Sequence, residues 1–335
     1  MAGMMRAVVA AATGGPEVLE LRDLPRPELR RPRDVLVRLK AASLNPADAY
    51  FRRFGPYLSS SAPLILGHDG AGVVEAVGAR VGRVAPGDEI CFCNGGIGGD
   101  PGTYAEFAVV PEDQLIRKPA GISFAQAAAL PLVAITLWES LYDRARLRRG
   151  EYALIHAGAG GTGHIGIQLA KLAGARVATT VSSEAKAAFA AEMGAELVIR
   201  YRSQDFVALA REWAHGRGVD LAFDNVGTEV MQRCFAAMAP YGRIVTLMGM
   251  PGDTAEGTAY NGNLTIHNVM MLTPMWLGLR RHLRRQADRV AKAMRLLSEE
   301  RLRIAIDRTF PLAEAAEAHR HLESGQALGK VVLEI

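Results

Sequence analysis

A glycine-rich segment between an apolar run and a helical pattern constrains the fold of this chain more than any other feature. It reads YALIHAGAGGTGHIG over residues 152–166 and contains the spacing G-x-G-x-x-G. Strand, glycine turn and helix in this order are typical of a dinucleotide site, where the helix N-terminus receives the phosphates. A glycine loop of another α/β fold is the alternative. The first glycine allows the turn, the second lets the backbone approach a pyrophosphate, and the third lets helix and strand pack closely. The motif therefore predicts five cofactor-binding residues: Gly158, Gly160, Gly161, Thr162 and Gly163.

Length and composition indicate a soluble enzyme of about two domains. The chain has 335 residues, of which 49% are hydrophobic and 22% charged, as is ordinary for globular proteins. No uninterrupted apolar run reaches the roughly 18 residues that span a bilayer, and the N-terminus lacks the pattern of a signal peptide. Three cysteines, Cys91, Cys93 and Cys234, do not make a disulfide framework. We therefore expect a cytoplasmic protein without membrane insertion.

A basic cluster near the C-terminus raises the question of a nucleic-acid partner. It consists of Arg280, Arg281, Arg284 and Arg285, although the net charge of the chain is only +4. No aromatic stacking platform accompanies the cluster, so a solvated helix face is the favoured interpretation. We expect no nucleic-acid partner.

The texture of the chain changes twice along its length. Before the glycine motif it reads as short strands separated by Pro- and Gly-rich turns, and after it strands and helices alternate. The alternation predicts an α/β fold with a parallel, doubly wound sheet. We place the boundaries at residues 1–125, 126–272 and 273–335. The sixth strand is predicted at HNVMMLT, at the sheet edge, where exposed Val269, Met270 and Met271 would favour a homodimer.

The end of the second strand of this sheet bears on cofactor choice. NAD enzymes commonly place an acidic residue there, on the ribose 2′-hydroxyl. This chain has TTVSS instead, with no acid before Glu184 and with Lys186 close behind. Small hydroxyls and a cation suit the 2′-phosphate of NADPH, although Ser182 and Ser183 can also simply cap the following helix.

Several motifs together carry a family resemblance over essentially the whole chain. GHDGAGVVEAVG, SLNPADAYFRR, HAGAGGTGHIGIQLAK, FDNVG and GKVVL resemble segments of the medium-chain dehydrogenase/reductase superfamily, in particular its zinc-free quinone oxidoreductase branch. The resemblance implies a GroES-like β domain, interrupted by a Rossmann nucleotide-binding domain and completed by the C-terminal segment. Asp69 departs from the Glu that is usual in the first motif.

The resemblance also bears on metal binding. Zinc-dependent relatives take a ligand from an early Cys, and Asn45 stands at that position here. The cysteines do not supply the four ligands of a structural zinc site, and His68 is more simply a buried hydrogen-bonding residue. We therefore expect neither catalytic nor structural zinc. Without a Lewis acid, hydride transfer to a quinone or another conjugated carbonyl is the favoured chemistry, because the negative charge spreads onto an oxygen that hydrogen-bond donors can stabilise.

By resemblance, the active-site loop contains Asn45, Asp48 and Tyr50. Asn45 and Tyr50 would donate hydrogen bonds, and Asp48 either orients the loop or is an exposed or capping residue. For Lys330 a surface position is an equal alternative to a cofactor contact, and Trp276 either stacks on a flat substrate or packs. The remaining cofactor-binding residues that the resemblance implies are Thr136, Ser182, Lys186, Tyr201, Asn225, Gly227, Met248, Gly249, Met271, Leu272, Thr273 and Lys330.

Three functions are compatible with the sequence. The first is an NADPH:quinone reductase. The second is an NADPH-dependent double-bond reductase for enals, enones or enoyl thioesters. The third, of another class, is a catalytically weak NADPH-binding sensor or nucleic-acid-binding protein, against which the intact glycine motif argues.

Overall fold

The computed structural model of the protein describes residues 3–58, 63–249 and 258–335. These residues form two compact units. Unit 1 combines the chain up to Ile135 with Leu272–Ile335, and unit 2 spans Thr136–Met271.

The N-terminal part of unit 1 consists mostly of short strands. The strands are β1 (Met4–Ala10), β2 (Leu19–Pro25), β3 (Asp34–Ser43), β4 (Leu64–Ile65), β5 (Asp69–Val77), β6 (Glu89–Cys93), β7 (Phe107–Pro111) and β8 (Ile116–Arg117). The helices are α1 (Pro46–Phe54), α2 (Phe124–Ala129) and α3 (Pro131–Leu137). Ser123 caps α2, since its Oγ accepts a hydrogen bond from the Gln126 N–H.

Unit 2 alternates between strand and helix after a π-helical segment at Trp138–Arg144. Its strands are β9 (Tyr152–Ile155), β10 (Arg176–Val181), β11 (Leu197–Arg200), β12 (Val219–Asp224), β13 (Met238–Thr246) and β14 (Thr265–Asn268). Its helices are α4 (Gly161–Leu172), α5 (Glu184–Glu192), α6 (Phe206–Trp213), α7 (Thr228–Ala237) and α8 (Thr258–Asn261). The C-terminal part of unit 1 contains α9 (Thr273–Trp276), α10 (Arg280–Ser298), β15 (Ile306–Pro311), α11 (Ala315–Glu323) and β16 (Lys330–Glu334).

The sheets of unit 1 depend on both ends of the chain. A seven-stranded sheet has the order β15-β16-β3-β5-β6-β8, with β7 also paired to β3, and a smaller sheet has the order β2-β1-β4. The C-terminal strand β16 pairs antiparallel with β3, so that Val332 lies opposite Ser43. Alternate residues of β3 and its neighbours, among them Val37 and Phe92, form a buried apolar cluster.

The sheet of unit 2 is parallel throughout, in the order β11-β10-β9-β12-β13-β14. This is the doubly wound strand order. The first strand, β9, lies beside the fourth, β12, and successive strands are added outward in opposite directions from this pair. Ligands of such sheets bind at the carboxyl ends of the strands, at that reversal. The glycine motif follows β9 and therefore lies at this position.

Three features differ from the expectations. The edge strand β14 ends at Asn268, so Val269, Met270 and Met271 follow the strand, and Val269 and Met271 are buried rather than exposed. The first unit ends at Ile135 instead of residue 125, because α2 packs on β3, β5 and β16. One helical stretch, Phe124–Arg144, is long and apolar enough to cross a membrane, but 72% of its apolar window is buried, as in a core helix.

Candidate functional site

The glycine loop of unit 2 contains two crowded glycines and one open one. A Cβ atom on Gly163 would lie 2.1 Å from the Ala157 carbonyl oxygen, and one on Gly158 would lie 2.1 Å from Thr179 Oγ1. A Cβ on Gly160 would meet only the Ala157 oxygen, at 3.3 Å. Packing therefore requires the first and third glycines. Gly160 leaves space beside the N-terminus of α4, where free N–H groups can receive a phosphate.

His156 lies between β9 and the glycine loop and contacts neighbouring elements of unit 2. It is buried, and its Nδ1 lies 3.0 Å from Thr180 Oγ1 while its Nε2 lies 3.0 Å from Cys234 Sγ. Burial lowers the pKa of His156 to about 4, so the imidazole is neutral at physiological pH. Sequence reasoning missed this residue, although a histidine directly between a buried strand and a glycine turn was a visible signal.

The turn after β12 is held by Asp224. Its buried carboxylate accepts hydrogen bonds from the N–H groups of Val226 and Gly227 and from the Thr246 hydroxyl. The turn contains Asn225, whose Oδ1 is buried and has no hydrogen-bond partner among the described residues. An unpartnered buried acceptor suits a hydrogen-bond donor on a bound cofactor. Asp224 was also missed, although Asp followed by Asn and Gly predicts a side-chain-stabilised turn.

The residues predicted for the 2′-phosphate follow two neighbouring strands. Ser182 comes directly after β10 and Tyr201 directly after β11, and these strands pair in parallel, so both residues lie at the carboxyl edge of the sheet. Tyr201 is 50% exposed. The capping interpretation is confirmed for Ser183, whose Oγ accepts a hydrogen bond from the Lys186 N–H. Glu184 forms an ion pair with Arg200 at 2.6 Å.

The other predicted cofactor residues are distributed between the units. Met248 follows β13 and is 60% exposed, and Gly249 has φ of 79°. Thr136 is buried within α3, and Met271 is buried as the last residue of unit 2. The two remaining residues belong to unit 1, where Leu272 is buried and Thr273 begins α9.

In unit 1, Asn45 is held at both ends of its side-chain amide. Its Nδ2 donates to Asp69 Oδ2 at 2.9 Å, and its Oδ1 accepts from Lys330 Nζ at 2.5 Å. Because Lys has only donors, this contact fixes which end of the amide is the oxygen. Burial raises the pKa of Asp69 to about 6, although Lys330 and Asn45 oppose the increase. Asn45 is 1% exposed and is therefore a structural link as well as a candidate site residue.

The position of Lys330 excludes the surface interpretation of this residue. It is 3% exposed, and its ammonium donates to the carbonyl oxygen of Leu44 as well as to Asn45. Burial lowers its pKa, which the charges of Asp69 and Asp48 oppose. Lys330 is thus not a surface lysine, and two of its three ammonium donors bond to Leu44 and Asn45.

Asp48 occupies the buried face of α1. Pro46 begins this helix, and the Asn45 N–H donates to Asp48 Oδ2 at 2.7 Å. The other carboxylate oxygen lies 2.8 Å from His68 Nδ1, and the Tyr104 hydroxyl donates to Oδ2 at 3.2 Å. Burial would raise the pKa of Asp48, but the charge and hydrogen bond of His68 outweigh burial and lower it. Asp48 is therefore an ionised anchor rather than an exposed residue.

A chain of buried polar groups continues from Asp48 to the C-terminal helix. Tyr104 Oη lies 3.1 Å from His319 Nε2, and Arg52 contacts His319 Nδ1 at 2.8 Å. Since Arg only donates, Nδ1 of His319 accepts and its Nε2 carries the proton. Arg52 also forms an ion pair with Glu323 at 3.0 Å. These contacts fasten α1 to α11, and sequence reasoning missed them.

The opposite face of α1 presents Tyr50, which is 47% exposed. Its ring centroid lies 6.3 Å from that of Tyr57, and the centroid of Tyr57 lies 5.4 Å from that of Trp276. Partial burial and the neighbouring Tyr50 raise the pKa of Tyr57, so the Tyr57 phenol stays protonated and can donate a hydrogen bond. Tyr57 was not predicted, and Trp276 packs on a ring while 46% of it remains exposed.

The residues at the position of a possible metal do not suit one. Asn45 is bonded to Lys330 and Asp69, and His68 Nδ1 faces Asp48. Cys93 is buried, and burial raises the pKa of its thiol well above the ordinary value. In the part of the chain that the structure describes, no group of three or more His, Cys, Asp or Glu side chains could hold a metal ion.

Two family models match the chain. One, described as an alcohol dehydrogenase GroES-like domain, covers residues 31–120, and the other, described as a zinc-binding dehydrogenase, covers residues 193–333. A quinone oxidoreductase of Pseudomonas aeruginosa is 36% identical over 98% of this chain and 99% of its own length. A 2-haloacrylate reductase of a Burkholderia species is 31% identical over 98% of this chain and 99% of its own length.

Solved structures agree with these relatives. A crystal structure of an NAD-dependent alcohol dehydrogenase has a TM-score of 0.89 and 35% identity, and covers 99% of this chain and 100% of its own. The Escherichia coli quinone oxidoreductase in complex with NADPH has a TM-score of 0.86 and 28% identity, with the same coverage. The chain therefore belongs to the medium-chain dehydrogenase/reductase superfamily and, within it, to the quinone oxidoreductase-like branch.

Proposed function

We propose that this protein is an NADPH-dependent reductase that delivers hydride to a quinone or a similar conjugated carbonyl compound without zinc. The observation that carries the proposal is the amide of Asn45, which is bonded at both ends at the position where zinc-dependent relatives have a ligand. A chain with this arrangement needs an acceptor whose developing charge can be stabilised by hydrogen bonds alone. Quinones and enones meet that need, whereas simple alcohol oxidation is better served by a Lewis acid.

The described residues of unit 2 fit a dinucleotide. The open side of Gly160 leaves space at the N-terminus of α4 for a pyrophosphate, and Asn225 Oδ1 supplies an unpartnered acceptor for a hydroxyl or amide donor. When bound, NADPH supplies the hydride. Asp224 and His156 position the two turns that would hold it.

The 2′-phosphate would be recognised at the edge formed by Ser182, Lys186 and Tyr201. No carboxylate follows β10 before Glu184, and that carboxylate is paired with Arg200. Support also comes from the relative whose structure contains NADPH. One structural neighbour is described as NAD-dependent. Measuring whether this protein prefers NADPH or NADH therefore tests the role of Ser182, Lys186 and Tyr201 directly.

In unit 1, two phenols would act on the acceptor. Tyr50 and Tyr57 lie side by side and are partly exposed, and the raised pKa of Tyr57 keeps its phenol protonated. They can donate hydrogen bonds to an acceptor oxygen as negative charge develops on it, and one of them or solvent would then supply the proton. Asp48 and Arg52 position α1, which carries Tyr50.

A substrate panel followed at 340 nm tests the proposal. We expect NADPH oxidation with 1,4-benzoquinone and 9,10-phenanthrenequinone, without stoichiometric zinc in the purified protein. Tyr50→Phe and Tyr57→Phe should each slow turnover by about tenfold or more if the phenols stabilise the oxygen. The proposal would be overturned if the protein reduced none of the acceptors on the panel. It would also be overturned if removal of zinc abolished the activity.

A double-bond reductase is the second candidate. It is supported by the relative described as a 2-haloacrylate reductase. The same panel should therefore include trans-2-hexenal and a crotonyl thioester. A higher kcat/KM for these compounds than for the quinones would favour this candidate, which uses the same residues.

We further propose a cytoplasmic homodimer. The edge strand β14 is unpaired on one side among the described residues, and exposed strand edges are often covered by a second copy. Light scattering after size exclusion measures the mass directly, and a mass of one chain would contradict the dimer.

A further inference from the structure

We infer that a face of unit 1 binds the surface of bilayers rich in anionic phospholipid. We call it the α9–α10 face and define it by Trp276, Leu277, Leu279, Arg281, Arg284 and Arg285. The inference concerns binding of the protein to a membrane surface. It does not depend on which acceptor the enzyme reduces.

The apolar part of this face is unusually exposed. Trp276 is 46% exposed, Leu277 57% and Leu279 39%, and they are close together in sequence at the start of α10. Apolar side chains of this size are normally buried, and a group of them on the surface marks an interaction site. Tryptophan is enriched where membrane surfaces meet water, because its ring is apolar and its N–H is polar.

The basic part lies next to it on the first two turns of α10. Arg281, Arg284 and Arg285 are exposed, and their side chains make no ion pair or hydrogen bond within the described residues. Arg280 differs, because it pairs with Asp113 at 3.1 Å. Asp288 is the nearest exposed acid on the same helix. The inner side of α10 packs into the protein through Leu283, Ala287 and Val290, so the arginines face outward.

The combination identifies the occupant by charge and polarity. Three unpaired cations beside three exposed apolar side chains complement anionic headgroups above an acyl region, which is how amphipathic segments lie in a membrane surface. A nucleic acid would satisfy the arginines but would leave the leucines in water. A second copy of this chain would bring like charges together.

The same face continues toward the candidate site through aromatic contacts. Trp276 packs on Tyr57, Tyr57 neighbours Tyr50, and the centroids of Tyr50 and the 70%-exposed Phe54 are 4.9 Å apart. An apolar band therefore connects the proposed lipid contact with the exposed phenols. A lipid-dissolved acceptor could pass along it.

Vesicle sedimentation tests the inference with the full-length protein. We expect the protein to sediment with vesicles of phosphatidylcholine and phosphatidylglycerol, not with phosphatidylcholine alone, and to be released at about 0.5 M salt. Replacing Arg281, Arg284 and Arg285 by Gln should weaken partitioning by about 100-fold, since each cation near the surface contributes several-fold. Leu277→Asp should also abolish vesicle binding. Because it changes only one exposed side chain, it provides a second test if the triple variant does not fold.

A matched control uses three other exposed arginines. Arg144, Arg146 and Arg148 of unit 2 also have no side-chain partner among the described residues, and replacing them by Gln changes the net charge equally. This control should bind vesicles like the wild type, and all variants should retain turnover with soluble 1,4-benzoquinone.

Four outcomes would overturn the inference. They are no binding of the wild type to anionic vesicles, an equal loss in the control triple, binding to a labelled oligonucleotide in place of vesicles, and a change of oligomeric mass in Leu277→Asp without any vesicle binding. Because sedimentation does not depend on turnover, failure here is distinguishable from failure of the proposed function.

Discussion

Lys330 Nζ donates a hydrogen bond to Asn45 Oδ1 over 2.5 Å and joins residues that are 285 positions apart. The contact places a buried cation beside the Asn45–Asp69 pair, and the pKa of Asp69 stays as low as about 6 because of it. The C-terminal strand β16 thus orients the side chain of Asn45.

Lys330→Met should therefore destabilise unit 1 strongly. It leaves the Asp69 carboxylate without its opposing charge, and breaking a buried charge contact costs about 3 kcal/mol or more. Urea unfolding measures the loss. Lys40→Met, at an exposed lysine, should change stability by less than about 0.5 kcal/mol. Equal stability of the two variants would contradict the role of Lys330.

Two alanine substitutions should separate folding from cofactor binding. Gly163→Ala places a Cβ 2.1 Å from a backbone oxygen, so it should reduce stability by about 1–3 kcal/mol as well as NADPH affinity. Gly160→Ala has only one neighbour, at 3.3 Å, and should fold normally. It should nevertheless weaken NADPH binding by about tenfold or more, because the methyl group occupies the phosphate space. Fluorescence titration and thermal melting measure both effects, and normal NADPH affinity of Gly160→Ala would refute the phosphate position.

Lys186→Ala should discriminate between the two cofactors. If the lysine faces the 2′-phosphate, its removal should raise the KM for NADPH by about tenfold and leave the KM for NADH unchanged. The wild type should prefer NADPH. Equal use of NADH, or equal effects of the substitution on both cofactors, would argue for an ordinary surface lysine. Lys171→Ala, in the last turn of α4, is a suitable control.

Stability should decrease in mild acid. The pKa values of His156 and His319 are lowered to about 4, chiefly by burial. The folded chain therefore binds fewer protons than the unfolded chain between pH 6.5 and 4, and the free energy of unfolding falls as the pH is lowered through this window. Asp69 acts in the opposite direction, since its pKa of about 6 gives the folded chain an additional proton below that pH.

Two histidines outweigh one carboxyl group, so we expect a net loss of about 2–3 kcal/mol between pH 7 and pH 5. Urea unfolding at the two pH values measures it. Asp69→Asn removes the opposing contribution and should steepen the loss. Greater stability at pH 5 than at pH 7 would contradict the assignment of both histidines as neutral.

Sequence patterns predicted those structural features that are determined by residues close together in the sequence. The glycine spacing and the alternation of strands and helices were visible because each is determined within a few positions. The sixth strand was placed too late, because the apolar run after Asn268 resembles a strand, while Thr265–Asn268 is more polar. In the structure, Val269 and Met271 of that apolar run are buried, although they lie outside the paired part of the strand.

The polar network of unit 1 was beyond the reach of local patterns. Arg52 meets Glu323 across 271 positions, and Tyr104 meets His319 across 215. Neither contact leaves a periodic signal, because a buried ion pair depends on which elements the fold brings together. Asp48 was noticed only through the motif around it, and its partner Tyr104 lies 56 positions away.

The pairing of β16 with β3 has a consequence for biosynthesis. Unit 1 lacks a central strand of its sheet until residues 330–334 have been made, whereas every strand of unit 2 is complete by Asn268. As the chain leaves the ribosome, the nucleotide-binding unit can therefore fold before the unit that began first. During that interval the N-terminal strands are exposed with an open edge beside β3, which makes nascent chains truncated near the C-terminus the form most prone to aggregation.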